Sequence, residues 1–204
     1  MGIALYGLIA YPHEDDMSLE AAIKYLVLSG ASSAALLFGF ALLYAITGSL
    51  FFPELLSGLA SPEVAVGPQS PYWARQLILL GSALILAGIS FKLSLAPFHM
   101  WTPDVYEGSP APITGFLATI SKGAVFAATL RLYVIGEFHR FPTLVTGLTV
   151  LSIISILVGN LLALKQENIK RLLAYSSIAH FGYLLIVLIA AGTLAPNGIS
   201  AIEP

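Results

Sequence analysis

Leu84-Ile-Leu-Ala-Gly-Ile-Ser-Phe-Lys-Leu-Ser-Leu-Ala-Pro97 decides how this chain is read. Ser90 and Ser94 apart, the run is apolar around a single cation, Lys92, and it ends on Pro97. Followed back to the aromatic pair Tyr72-Trp73, the apolar character extends over residues 72–97. A bilayer core of about 30 Å takes about 20 residues of helix, so this stretch is long enough to span, with Tyr-Trp as an interfacial anchor. Proline removes a donor and clashes with the preceding turn, which predicts a break near residues 93–97. A broken helix at membrane depth is tolerated where it is buried in protein or lines a cavity. The simpler alternative is that the helix ends here at the interface.

The rest of the chain reads the same way. Hydrophobic residues make up 57% and charged residues 10%, against about 25% charged in soluble domains. Mean hydropathy is +0.88. Further spans are expected at residues 18–47, with Ser18 as N-cap, and at 111–136, 142–164 and 169–192. Residues 2–11 are too short to cross and read as the later part of a helix. The connection 48–71, with only Glu54 and Glu63 charged, reads as a surface loop, and 101–110 as another. The expected fold is an all-α, polytopic transmembrane bundle, with residues 1–204 as a single membrane-domain fragment.

Charge sets orientation and excludes whole classes of function. Lys165, Lys170 and Arg171 form the densest basic cluster, which the positive-inside rule places in the cytoplasm. Alternating the spans puts residues 12–17 and 101–110 on that side, and 48–71 and 137–141 outside. A net charge of −2 suggests no nucleic-acid partner. The chain has no cysteine, so thiol catalysis and thiolate metal sites are excluded. No His or acidic pair recurs at metal-ligand spacing, and no nucleotide-binding glycine motif is present, so no cofactor is expected on this chain.

The candidate site residues are the cations inside apolar spans. Lys24 lies about two turns into its span, Lys92 late in the next, and Lys122 near the middle of Phe116-Leu-Ala-Thr-Ile-Ser-Lys-Gly-Ala-Val-Phe126. A charge at the bilayer centre costs roughly 3 kcal/mol, so such residues face a bundle interior or a wet cavity and mark ion or proton routes. Burial disfavours charged lysine and a nearby carboxylate favours it, which suits a switchable carrier. Each lysine has the alternative of snorkelling its ammonium to the interface. His180, in Ser176-Ser-Ile-Ala-His-Phe-Gly-Tyr183, and His99, beside the break, are candidate proton carriers or hydrogen-bonded packing residues. His13 and His139 fall in loops and read as solvated.

Phe91-Lys-Leu-Ser-Leu-Ala-Pro-Phe-His-Met-Trp-Thr-Pro-Asp-Val-Tyr-Glu-Gly-Ser-Pro-Ala-Pro112 closely resembles the signature of the subunit N (chain 2) family of bacterial complex I, the NADH–quinone oxidoreductase. Phe116 to Lys122, and Gly159 through Lys165-Gln-Glu-Asn-Ile-Lys-Arg171 to His180, match the same family, and the resemblance covers essentially the whole chain. It implies an antiporter-like fold of inverted repeats with a broken helix, of which this chain runs from within the fifth helix to the tenth. Lys24, Lys92 and Lys122 then correspond to the sixth-, seventh- and eighth-helix lysines. The glutamate that pairs with the broken-helix lysine would lie upstream of Met1, and Glu20 is not its equivalent.

The function implied is coupling of quinone reduction to proton translocation, with Lys92, Lys122, Lys24 and His180 as relay sites in a bacterial inner-membrane, multi-pass subunit. NADH, FMN, Fe–S clusters and quinone would belong to partner subunits, and the remaining partners would be other membrane-arm subunits, lipid and protons. Two alternatives are a subunit of an Mrp-type cation/proton antiporter, against which Tyr106-Glu-Gly108 points, and a truncated, non-conducting structural subunit.

Overall fold

A computed structural model describes residues 2–11, 16–49, 51, 72–135, 139 and 142–194. Among them the chain is helical without strands. The order is α1 (Gly2–Ile9), α2 (Asp16–Thr47), α3 (Tyr72–Leu93), α4 (Trp101–Gly108), α5 (Ala111–Phe116), a π-helical turn (Leu117–Ser121), α6 (Lys122–Ile135), α7 (Pro142–Ala163) and α8 (Ile169–Leu194). Five segments are long and apolar enough to span a bilayer: Asp16–Thr47, Gln76–Leu93, Ala111–Val134, Leu144–Ala163 and Ile169–Gly192. This is a polytopic all-α membrane bundle. At about 1.5 Å per residue, the 32 residues of α2 reach about 48 Å, beyond the hydrocarbon core.

Helices apolar on every side gain nothing by turning an apolar stripe away from lipid, so they associate by close approach at small residues. Gly39 of α2 meets Gly81 of α3, where an added Cβ would sit 2.7 Å from the Gly81 carbonyl oxygen. Nearer the break, Ser32 Oγ donates to the Gly88 carbonyl at 3.2 Å. The α7–α8 pair repeats the device, with Gly159 against the Tyr175 carbonyl and Gly182 against that of Ser152.

The break falls inside the window that Pro97 predicts, but α3 ends at Leu93 rather than running to residue 97. Ser94 takes a left-handed conformation with φ 60°, and the Ala96–Pro97 peptide is cis. The Ser94 N–H returns to Phe91 O at 3.0 Å and the Leu95 N–H to Ser90 O at 2.8 Å. These two bonds are a Schellman closure, with serine where glycine is usual. The Ala96 N–H donates to Ser155 Oγ of α7 at 2.9 Å, so the irregular backbone is satisfied within protein.

Two expectations do not hold, and a third holds with a local irregularity. Residues 101–108 are not a surface loop but α4, with Trp101, Val105 and Tyr106 buried. Pro103 is accommodated in the first turn, where its missing donor costs nothing. Ser18 is not an N-cap, since α2 begins at Asp16; its hydroxyl instead donates to the Gly108 carbonyl and docks the end of α4 on α2. The span expected over 111–136 is present as Ala111–Val134, with a π turn immediately before Lys122, and such a turn inserts one residue and rotates the helix beyond it.

Candidate functional site

The three lysines expected to form one chain of sites, and the candidate carrier His180, fall into three environments. Lys122, the first residue of α6, is 1% exposed. Its Nζ donates to Ser177 Oγ of α8 at 2.8 Å. Three ring faces surround the same nitrogen, Tyr106 at 5.3 Å, Phe181 at 5.5 Å and Trp101 at 5.9 Å to the centroids. Among the described residues, no carboxylate comes within salt-bridge distance of it.

Lys92 occupies the last turn of α3, one residue before the helix ends, where unpaired carbonyls give the helix terminus a partial negative charge. It is half-buried, and its Nζ donates to Ser33 Oγ of α2 at 3.2 Å. Lys92 and Lys122 line one cavity of about 50 Å³, together with Tyr25, Ser29, Trp101 and Ser121. That exceeds the roughly 10–15 Å³ that admitting a water requires, and the hydroxyls and ammonium groups supply its partners. Two titratable groups thus share one wettable space.

Lys24 stands apart and is corrected from a buried site to a half-exposed one. It is held between Glu20 of its own helix at 2.7 Å and Asp104 of α4 at 2.9 Å. Asp104 also accepts from Arg171 at 3.1 Å, and Arg171 reaches Glu107 at 2.7 Å. Asn168 donates to the other Glu107 oxygen at 2.7 Å. Lys170 donates to the carbonyls of Glu107 at 3.1 Å and Ser109 at 2.9 Å, where a cation suits the C-terminal pole of α4. This network brings residues 101–110 and the 165–171 connection together at one end of the bundle, beside the start of α2.

His180 is exposed on α8 and lines an open groove of about 400 Å³ with Tyr106, Thr114, Thr119, Lys170 and Ser177. Ser177 therefore touches both the buried ammonium and the groove. His99 packs edge-on against Tyr175, with ring centroids 6.4 Å apart. His139, expected to be solvated, is half-buried and its Cβ lies against Gly192 of α8. His13 lies outside the described residues. No group of three or more His, Asp or Glu side chains gathers as a metal site among the described residues.

Asp104, Glu107, Trp101 and Tyr106 belong to the signature stretch, yet the sequence gives them no role, and Ser33 and Ser177 do not stand out in it. The two acids carried a usable signal. They sit one turn apart in a chain with few charges, and the Lys170-Arg171 pair is the only other dense charge available to match them.

Known proteins share this pattern over nearly the whole chain. The family model for the transmembrane region of NADH:quinone oxidoreductase and Mrp antiporter subunits matches residues 1–201. NADH-quinone oxidoreductase subunit N of Ectopseudomonas mendocina (strain ymp) is 53% identical over 199 residues, covering 98% of this chain and 38% of the relative. The protein of the same name from Acinetobacter baumannii (strain AB0057) is 52% identical over 190 residues, covering 93% of this chain and 36% of the relative. The chain thus spans well under half the length of these curated relatives. In the structure of respiratory complex I from Thermus thermophilus with bound aureothin, a chain 39% identical superposes with a TM-score of 0.70, covering 95% of this chain and 42% of that one. In the Mrp complex from Dietzia sp. DQ12-45-1b, a chain 22% identical superposes at 0.74, over 91% of this chain and 33% of that one, a likeness of fold alone.

Proposed function

Because this chain belongs to the NADH:quinone oxidoreductase/Mrp antiporter family of transmembrane subunits, we propose that it is part of the membrane arm of a bacterial NADH–quinone oxidoreductase and carries protons through Lys92 and Lys122. Relatives at 50–53% identity that carry the subunit N name support the complex, whereas the chain from the Dietzia Mrp complex is 22% identical. The observation that carries the relay is the single cavity shared by the two lysines.

Protons move on and off nitrogen and the Ser177 hydroxyl, and no bond between heavy atoms changes on this chain. A charge change elsewhere in the membrane arm, driven by quinone reduction, shifts the balance between the two ammonium groups. A proton enters by the groove where His180 lies and passes through Ser177, whose hydroxyl accepts on one side and donates on the other, to neutral Lys122. From Lys122 it crosses the cavity on water to neutral Lys92. Lys24, paired with two carboxylates at the end of the bundle, stands at the mouth of the route. NADH, FMN, Fe–S centres and quinone belong to partner subunits in this reading, and the chain lies in the inner membrane with residues 165–171 toward the cytoplasm.

The decisive variant is Lys122→Met, which fills the same space without a charge to desolvate and leaves the bundle folded. Proton uptake by inverted vesicles, driven by NADH, is expected to be lost while NADH oxidation by an artificial acceptor persists. Normal proton uptake by that variant would remove the relay.

A further inference from the structure

An ammonium sealed inside a membrane bundle ordinarily has a carboxylate beside it, because a lone buried charge bears its full desolvation cost. Around Lys122 the described residues offer one hydroxyl and three aromatic rings instead. All three rings are themselves buried, Trp101 at 4% exposed, Tyr106 at 1% and Phe181 at 8%. All three centroids fall within the roughly 6 Å at which a ring's negative face attracts a cation.

The rings are also fixed in place. Trp101 donates its Nε1–H to the Phe91 carbonyl at 3.1 Å, stacks on the Phe91 ring at 5.4 Å and leans on Tyr25 at 5.0 Å. Phe181 meets Phe126 edge-on at 6.1 Å. Phe91 O is one of the carbonyls that close α3 next to Lys92. The indole therefore has its edge on the break and its face on the buried lysine.

Resting on the relay reading above, we propose that Trp101, with Tyr106 and Phe181, is a positioning residue that holds the protonated Lys122 by its ring faces in place of a counter-ion, and that its Nε1–H bond ties this cage to the break beside Lys92. The chemistry differs from that of an ion pair in one respect that matters to a relay. A carboxylate next to Lys122 is a base and competes for the proton. A ring face favours the charge and offers the proton nowhere to go, so it leaves only by Ser177 or by the cavity. Among the described residues, the titratable side chains facing Nζ are Tyr106 from α4 and, across the cavity, Lys92 of α3 and Tyr25 of α2. The competing account is that the rings merely pack against the lysine stem.

Fluorination separates the two accounts, because it drains electron density from the ring face and leaves shape and the indole N–H in place. The test is mono-, di- and trifluorotryptophan at position 101 of the full-length subunit in the assembled complex, with Lys122→Met alongside. NADH-driven proton uptake is read in inverted vesicles, and NADH oxidation by an artificial acceptor reports assembly. The cage predicts a stepwise fall in proton uptake of about twofold per fluorine with assembly unchanged. If Lys122→Met loses uptake and the fluorine series is flat, the cage is wrong and the relay stands. If Lys122→Met pumps normally, the relay fails and the cage falls with it.

Discussion

Lys122 of α6 and Ser177 of α8 meet through one hydrogen bond of 2.8 Å, and that bond links the buried ammonium directly to the groove that holds His180. An ammonium has three donors, and where charge is buried each acceptor counts for more than it does in water.

Ser177→Ala should therefore be costly out of proportion to its size. A hydrogen bond to a charged group contributes about 1.5–3 kcal/mol, which corresponds to a fall in proton uptake of about tenfold or more. Ser177→Thr, which keeps the hydroxyl, should retain most of the activity. Uptake measured in vesicles across the three proteins decides the point, and equal rates in the alanine variant and the parent would show that the hydroxyl is dispensable.

The network at the end of the bundle makes a different kind of prediction. Asp104 is shared between Lys24 and Arg171, with side chains about a third exposed. Pairs at that exposure couple by about 1 kcal/mol or less, and salt weakens them. A double-mutant cycle of Asp104→Asn with Arg171→Gln, read by thermal unfolding of the purified complex, should return coupling of that size, shrinking at high salt. Lys24→Met should cost less still, because Glu20 and Asp104 both remain reachable by water. A coupling of several kcal/mol would mean that the network is far drier than its exposure indicates.

Backbone geometry gives a third test at Ser94. With φ at 60°, a β-branched side chain is strongly disfavoured. Ser94 Oγ also accepts from Thr102 Oγ1 at 2.6 Å across the break. Ser94→Val loses on both counts, about 2 kcal/mol or more, and should lower thermal stability markedly. Ser94→Gly relieves the backbone and forfeits the hydrogen bond, two effects of similar size, so its melting temperature should stay near that of the parent.

Close helix approach supplies a fourth. Gly39→Ala drives a Cβ to 2.7 Å from the Gly81 carbonyl oxygen and 2.8 Å from the Ile85 side chain. Parting α2 from α3 should cost about 1–3 kcal/mol. Gly30→Ala, where nothing lies within 4 Å of the new Cβ, should be neutral or slightly stabilising for helix propensity alone. Thermal unfolding of both variants checks the contrast, and equal destabilisation would mean that packing is not what distinguishes them.

Much of the fold was legible because membrane spans are long and one-dimensional. Residues 18–47, 142–164 and 169–192 came within a few residues of α2, α7 and α8 on apolar length alone. The break was legible at Pro97 and Lys92, since each is anomalous in an apolar run. What sequence could not give was the direction in which side chains turn. Lys24, two turns into its span, and Lys122, in the middle of its own, both read as cations in apolar helix, yet one is half-exposed and doubly paired while the other is sealed. α4 read as a loop because Pro103, Asp104, Glu107 and Gly108 are loop-like one by one. Its acids are instead neutralised by Arg171, a match that no local window contains. The π turn before Lys122 left no trace in composition, and His180, mid-span by counting, lies on an open groove rather than in a packed interior.

The Asp104–Arg171 pair also sets an order of assembly. The two residues are separated by 67 positions, so when α4 leaves the ribosome its acids have no arginine to meet. At roughly 5–20 residues per second, about 3 to 13 s pass before Arg171 is even synthesised. For that interval α4 has α2 and its Lys24 to meet but not the α8 face that forms its other wall. Its full burial waits on the arrival of α8, so a segment from the middle of the chain is among the last to be seated during biogenesis.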